Sequence, residues 1–169
     1  TALVVGPHTQ TLLAEIARSI EVVHVIWPGD STQPAGSSTL GNVKHSSLTV
    51  SEWLATNARV DVVICPSGLS DPANFDTQPL PWDDRLRTLH ALLAPGGALL
   101  AGVERAESTA WHLPKGPAQG ANSTDPEGPT STLRALDAFE SAGMRDPQLL
   151  CGFGEDDWTG PIVDFDILK

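Results

Sequence analysis

At 169 residues with 40 % apolar content, the chain is long enough for one domain with its own hydrophobic core. Its net charge of −11 makes an acidic surface that repels phosphate backbones, and its ten Lys and Arg are scattered singly, so nucleic acid is not an expected partner. No apolar run approaches the roughly 18 residues of a membrane span, so no membrane association is expected.

Short apolar runs alternate with helical periodicity along the chain. Ala2–Val5 reads as a buried strand, followed by the turn in "VVGPHTQ" and a helix over Thr9–Ile20. That helix carries Leu12, Leu13, Ile16, Ala17 and Ile20 on one stripe, with Thr9 as its N-cap. Val22–Trp27 is a second strand, apolar except for His24, and Pro28, Gly29 and Asp30 stop it. Residues 31–42 read as loop, Val43–Leu48 as a third strand and Ser51–Asn57 as a short helix with Trp53 and Leu54. "VDVVIC", Val60–Cys65, is the clearest strand of the chain. Pro66–Trp82 is rich in Pro, Ser and Asp and reads as a long loop.

Asp83–Ala94 is predicted as a helix capped by Asp83 or Asp84, with Leu86, Leu89, Leu92 and Leu93 buried. Pro95-Gly96-Gly97 is predicted to end it, and Ala98–Val103 to be the fifth strand. Residues 105–130 include "KGPAQGANSTDPEGP", which offers too little apolar surface to offset chain entropy, so this segment is predicted to be a mobile loop. Ser131–Ala142 is a helix with Leu133, Leu136 and Phe139 inward, closed by Gly143. Gln148–Phe153 and Ile162–Leu168 are two last strands, joined by "GEDDWTGP". The alternation predicts an α/β fold: a doubly wound, seven-stranded, mostly parallel sheet in the order 3-2-1-4-5-7-6, strand 7 antiparallel, helices on both faces. Residues 1–169 are expected to form one domain.

Cys65 and Cys151 lie far apart and both follow apolar runs, the pattern of reduced core cysteines in a cytoplasmic protein. The N-terminus shows no basic region or cleavage signal, which fits the same compartment. The five histidines are dispersed and no cluster has metal-ligand spacing, so no metal site is expected. The acidic run Glu155-Asp156-Asp157 lacks the spacing of a calcium loop, and the sequon at Asn122 reads as a chance match.

"RVDVVICPSGL" and "RLRTLHALLAPGGALLAGVE", with "LRALDAFESAGMRDPQLLCGFG" near the end, resemble the class I S-adenosylmethionine-dependent methyltransferase domain. The likeness follows nearly the whole chain in order. The "LLAPGGALL" segment speaks for the fold; it is not a catalytic motif. The resemblance implies a Rossmann-type sheet with S-adenosylmethionine at the carboxyl ends of its strands. Carried over by position, Gly6 would belong to the glycine loop, Trp27 or Asp30 to the ribose contact at the end of strand 2, and Ser46 and Ser47 to the adenine contact.

At these positions the family has GxGxG and acidic residues, whereas here only Gly6 matches. Pro7 lacks an amide donor, His8 adds bulk and Trp27 replaces a carboxylate. The helices that usually precede the first strand and cover the cofactor are also missing from the pattern. Two functions remain in view. One is a methyltransferase-like domain with a degraded cofactor site, serving as a structural or partner-binding unit with a protein partner or a second copy. The other is an active small-molecule methyltransferase that uses S-adenosylmethionine through a divergent loop.

The strand ends bring Gly6, Pro7, His8, Trp27, Asp30, Cys65, Ser67, Ser70, Asp71 and Glu104 to one rim. His8 is a candidate general base, and His8 with Cys65 a candidate nucleophile pair; both residues also read as ordinary strand-end side chains. Trp27 either stacks on a ligand ring or plugs the pocket. Trp27, Leu69, Phe75 and Trp82 are expected to form an exposed apolar rim suited to a partner. Limited proteolysis of the isolated chain is expected to cut first within 105–130, as mapped by mass spectrometry of the earliest fragments. Protection of that segment in dilute monomer would count against the mobile-loop prediction.

Overall fold

Four consecutive apolar residues, Ala2–Val5, form strand β1, and all four have no exposure to solvent. A strand buried on both faces needs a strand on each side and a helix layer above and below. The computed structural model supplies them. It describes residues 1–6, 8–27, 40–65, 69, 75, 80–102, 132–147, 150–152 and 162–164, of which 132–134, 150–152 and 162–164 are described as backbone. The predicted mobile segment 105–130 lies outside the described residues, as do Pro7, Asp30, Ser67, Ser70, Asp71 and Glu104.

The described residues fall into two compact units, 1–102 in one and 132–164 in the other. In the first unit β1 pairs in parallel with β2 (Val23–Ile26), from Ala2 opposite Val23 to Val5 opposite Ile26. On its other side it pairs in parallel with β4 (Val60–Cys65), from Ala2 opposite Val62 to Val4 opposite Ile64. β3 (Val43–Ser46) lies outside β2, and β5 (Leu93–Ala101) lies outside β4. The result is a parallel five-stranded sheet in the order β3-β2-β1-β4-β5. This part of the predicted strand order is found as expected.

Helix α1 (Gln10–Ser19) starts where Thr9 accepts a hydrogen bond from the Leu12 N–H at 3.2 Å. Ten residues make a marginal helix in water, so packing must hold it. Leu13 and Ile16 pack with Ala2, Val4, Val23, Val25 and Ile64 on one face of the sheet. Its C-terminal end is closed from a distance: the Asn42 amide donates to the carbonyls of Ala17 and Ile20, both at 2.8 Å.

Helix α2 (Val50–Ala55) covers the opposite face. Thr49 and Glu52 form a reciprocal capping box, with the Thr49 N–H donating to Glu52 at 2.7 Å and the Glu52 N–H to Thr49 at 3.2 Å. Trp53 lies against His24, with ring centroids 4.9 Å apart. His24 alternates with Val23 and Val25 along β2, so α2 lies on the face that α1 does not cover.

Helix α3 (Trp82–Leu92) differs from its predicted span at both ends. Its N-cap is Pro81, with no side-chain cap, and Asp83 and Asp84 fall in its first turn, where carboxylates favour the helix dipole. The helix ends at Leu92 with Leu93 already extended, so Pro95-Gly96-Gly97 does not terminate it. These residues form a bulge at the start of β5 instead. Val60 pairs with Leu93 while Val62 pairs with Ala98, so the bulged strand carries the excess residues between two ladder positions. Gly96 takes φ +81°, and a Cβ on Gly97 would lie 2.8 Å from the Asp61 carbonyl oxygen. The glycines permit backbone to approach backbone.

In the second unit, α4 (Thr132–Ser141) buries Ala135 and closes as predicted. Gly143 takes φ +94°, its N–H donates to Glu140, and the Met144 N–H donates back to Phe139 at 3.1 Å. β6 (Leu150–Gly152) and β7 (Ile162–Asp164) pair antiparallel, Cys151 opposite Val163. The predicted antiparallel pairing of strand 7 with strand 6 is found, and among the described residues these two form a two-stranded sheet while β1 to β5 form the five-stranded one. A short connection makes pairing between sequence neighbours entropically easier than pairing with a distant strand.

The expected apolar rim is also corrected. Leu69, Phe75 and Trp82 are buried, with exposures of 1, 0 and 6 %. Arg85, itself 2 % exposed, holds this region by donating to the carbonyls of Leu80 at 2.6 Å and of Leu69. The Ser51 N–H donates to the Phe75 carbonyl at 3.0 Å. A stretch that reads as polar loop is thus anchored from α2 and α3.

Two outcomes follow from this packing. Gly97→Ala should lower unfolding free energy by about 1–3 kcal/mol in urea titration, because the added methyl meets backbone that cannot swing away. Gly96→Ala should lower it less, by about 1–2 kcal/mol, since that site is open and only its φ is strained. The second outcome concerns pH. Burial, then Lys44 and the terminal amino group, hold the His24 pKa below its ordinary 6.5. The unfolded chain therefore takes up this proton first as pH falls. Stability from His24 is full above pH 6.5 and is lost between there and the lower folded value. His24→Gln should flatten that acid limb relative to the unsubstituted chain in urea midpoints measured from pH 8 to 5.

Candidate functional site

The carboxyl ends of β1, β2, β3, β4 and β5 share one rim of the five-stranded sheet. Chain order reverses about β1, whose neighbours are β2 on one side and β4 on the other. Such a switch point is where open α/β sheets place a ligand crevice.

β1 ends in Gly6, which is buried and takes φ +79°. Its N–H donates to the Ile26 carbonyl at 3.0 Å, extending the ladder by one residue before the chain turns. A residue with a Cβ pays steric strain at this φ, so glycine here answers a need of the turn itself.

His8 follows two residues later and is half-buried. Its Nδ1 lies 2.9 Å from the Gly6 carbonyl oxygen. A carbonyl only accepts, so Nδ1 carries the proton and donates, and in the neutral ring Nε2 is left as an acceptor. That Nε2 is buried and meets no hydrogen-bond partner among the described residues. The imidazole stands edge-to-face against Trp27, with ring centroids 5.7 Å apart and planes at 63°.

Trp27 comes from the end of β2 and is itself half-buried. Its N–H donates to the Ser46 carbonyl at 3.2 Å, tying the end of β2 to the end of β3. Ser46 is also half-buried, and its hydroxyl accepts from the Leu48 N–H at 3.3 Å. Ser47 is exposed. The structure therefore brings Gly6, His8 and Trp27 together, and joins Trp27 to the backbone beside Ser47.

Cys65 ends β4 with no exposure to solvent. It alternates with Ile64, which packs under α1, so it belongs to the face that carries α2. A thiol in that setting is a small packing group; a nucleophile needs partial exposure and a positive neighbourhood. Gly102, beyond β5, donates its N–H to the Cys65 carbonyl at 3.0 Å. Asp30 lies outside the described residues. Among the described residues no group of three or more His, Cys, Asp and Glu is arranged to hold a metal ion. Nor is any helix among them long and apolar enough to cross a membrane.

Gln10, the first residue of α1, also carries a buried side-chain nitrogen without a partner among the described residues. Sequence reading passes over it, because a glutamine at a helix start is an unremarked surface residue. Arg85 does carry a signal in the sequence. It lies on the stripe of Trp82, Leu86, Leu89 and Leu92, where a guanidinium must be buried with acceptors around it.

No protein-family model matches the chain, and no curated protein or solved structure is significantly similar to it.

The φ of Gly6 makes a test of the turn. Gly6→Ala should destabilise the chain by about 1–2 kcal/mol in chemical unfolding, with or without any small molecule added. An equal stability of the two chains would mean that the glycine serves a ligand and not the fold.

Proposed function

We propose that the chain is a methyltransferase-like domain whose S-adenosylmethionine site is degraded, and that it acts as a structural or partner-binding unit. The observation that carries this reading is the His8–Trp27 contact at the switch point. Two rings from the ends of β1 and β2 occupy space at the rim that a cofactor would need. The residues do not otherwise fit S-adenosylmethionine. The loop offers one glycine, Pro7 has no N–H to donate, and the end of β2 presents an indole where a ribose carboxylate is needed. Gly6 does not argue for a ligand, since its φ is explained by the turn.

In the same reading β7 adds to the free edge of β5, giving the order 3-2-1-4-5-7-6. The antiparallel pairing of β6 with β7 supports this, since the proposed order contains the same pair. The partner of the domain is a protein, either a second copy or another chain.

One observation favours the alternative, an active S-adenosylmethionine-dependent methyltransferase acting on a small molecule. His8 Nε2 is an acceptor with no partner among the described residues, at the place where such an enzyme would hold its substrate.

Calorimetry separates the two. Each charge-assisted hydrogen bond lost with the ribose carboxylate is worth about 1.5–3 kcal/mol, so two of them remove roughly two to four decades of affinity. Titration with S-adenosylmethionine or its demethylated product should therefore give a Kd in the millimolar range or no measurable heat. A Kd at or below ~10 μM would overturn the degraded-site reading and support the enzyme.

A further inference from the structure

We draw no further inference here: the strongest candidate, the buried Nε2 of His8 without a partner among the described residues at the carboxyl end of β1, belongs to the site already described, and nothing in the structure shows what covers it.

Discussion

The burial of β1 is the constraint on which the first unit depends. Its four side chains leave water completely, two toward each face of the sheet. Transfer of a Val or Leu side chain from water contributes about 1.5–3 kcal/mol, but only if both faces are covered. α1 covers one face through Leu13 and Ile16, and α2 reaches the other through Trp53. The parallel neighbours β2 and β4 follow from the same demand. A two-sided apolar strand has no solvent face to offer, and short crossovers through helices bring parallel strands to its flanks.

Where β1 ends, that burial ends abruptly, and the polar groups just beyond it must find partners. Gly6 delays the problem by one residue, since its N–H still reaches Ile26. His8 then returns a side-chain hydrogen bond to the Gly6 carbonyl, which the turn would otherwise leave without one of its acceptor contacts. The imidazole so fixed lies against Trp27, and Trp27 is fixed in turn by its backbone bond to Ser46. The ends of β1, β2 and β3 are thus linked by a chain of local interactions through Gly6, His8, Trp27 and Ser46.

How much of this was legible depended on whether the signal was local. Ala2–Val5 and Val60–Cys65 were legible to the residue, because short, β-branched apolar runs, the second interrupted by Asp61 alone, end at turn residues Gly6 and Pro66. Thr9 was legible as a cap because a threonine directly before a helical apolar stripe can accept from the first turn. Pro95-Gly96-Gly97 is ambiguous in the sequence, because the same residues serve helix ends and strand bulges. Only the pairing of Val60 with Leu93 and of Val62 with Ala98 decides between them, and that is a fact about another strand. The site was legible in part. Gly6, His8 and Trp27 follow their strands directly, so placing the strands placed them. Their mutual contact was not legible, since it depends on a ring orientation that the His8–Gly6 bond sets.

Leu69, Phe75 and Trp82 show the limit most clearly, and Arg85 explains it. Apolar residues scattered through a Pro-, Ser- and Asp-rich stretch show no periodicity, so pattern alone assigns them to the surface. What draws them in is a demand from elsewhere. Arg85 sits on the buried stripe of α3, and a guanidinium there must have its N–H groups satisfied. The carbonyls of Leu69 and Leu80 provide acceptors, so the backbone that carries them is pulled against the helix. Leu69 is held at the interior by its bond to Arg85, and Phe75 by the Ser51 N–H that donates to its carbonyl. The polar group thus organises the apolar ones. It follows that Leu69, Phe75 and Trp82 belong to the unit's own core, whereas among the described residues the large apolar side chain left in contact with water is Leu100 on β5.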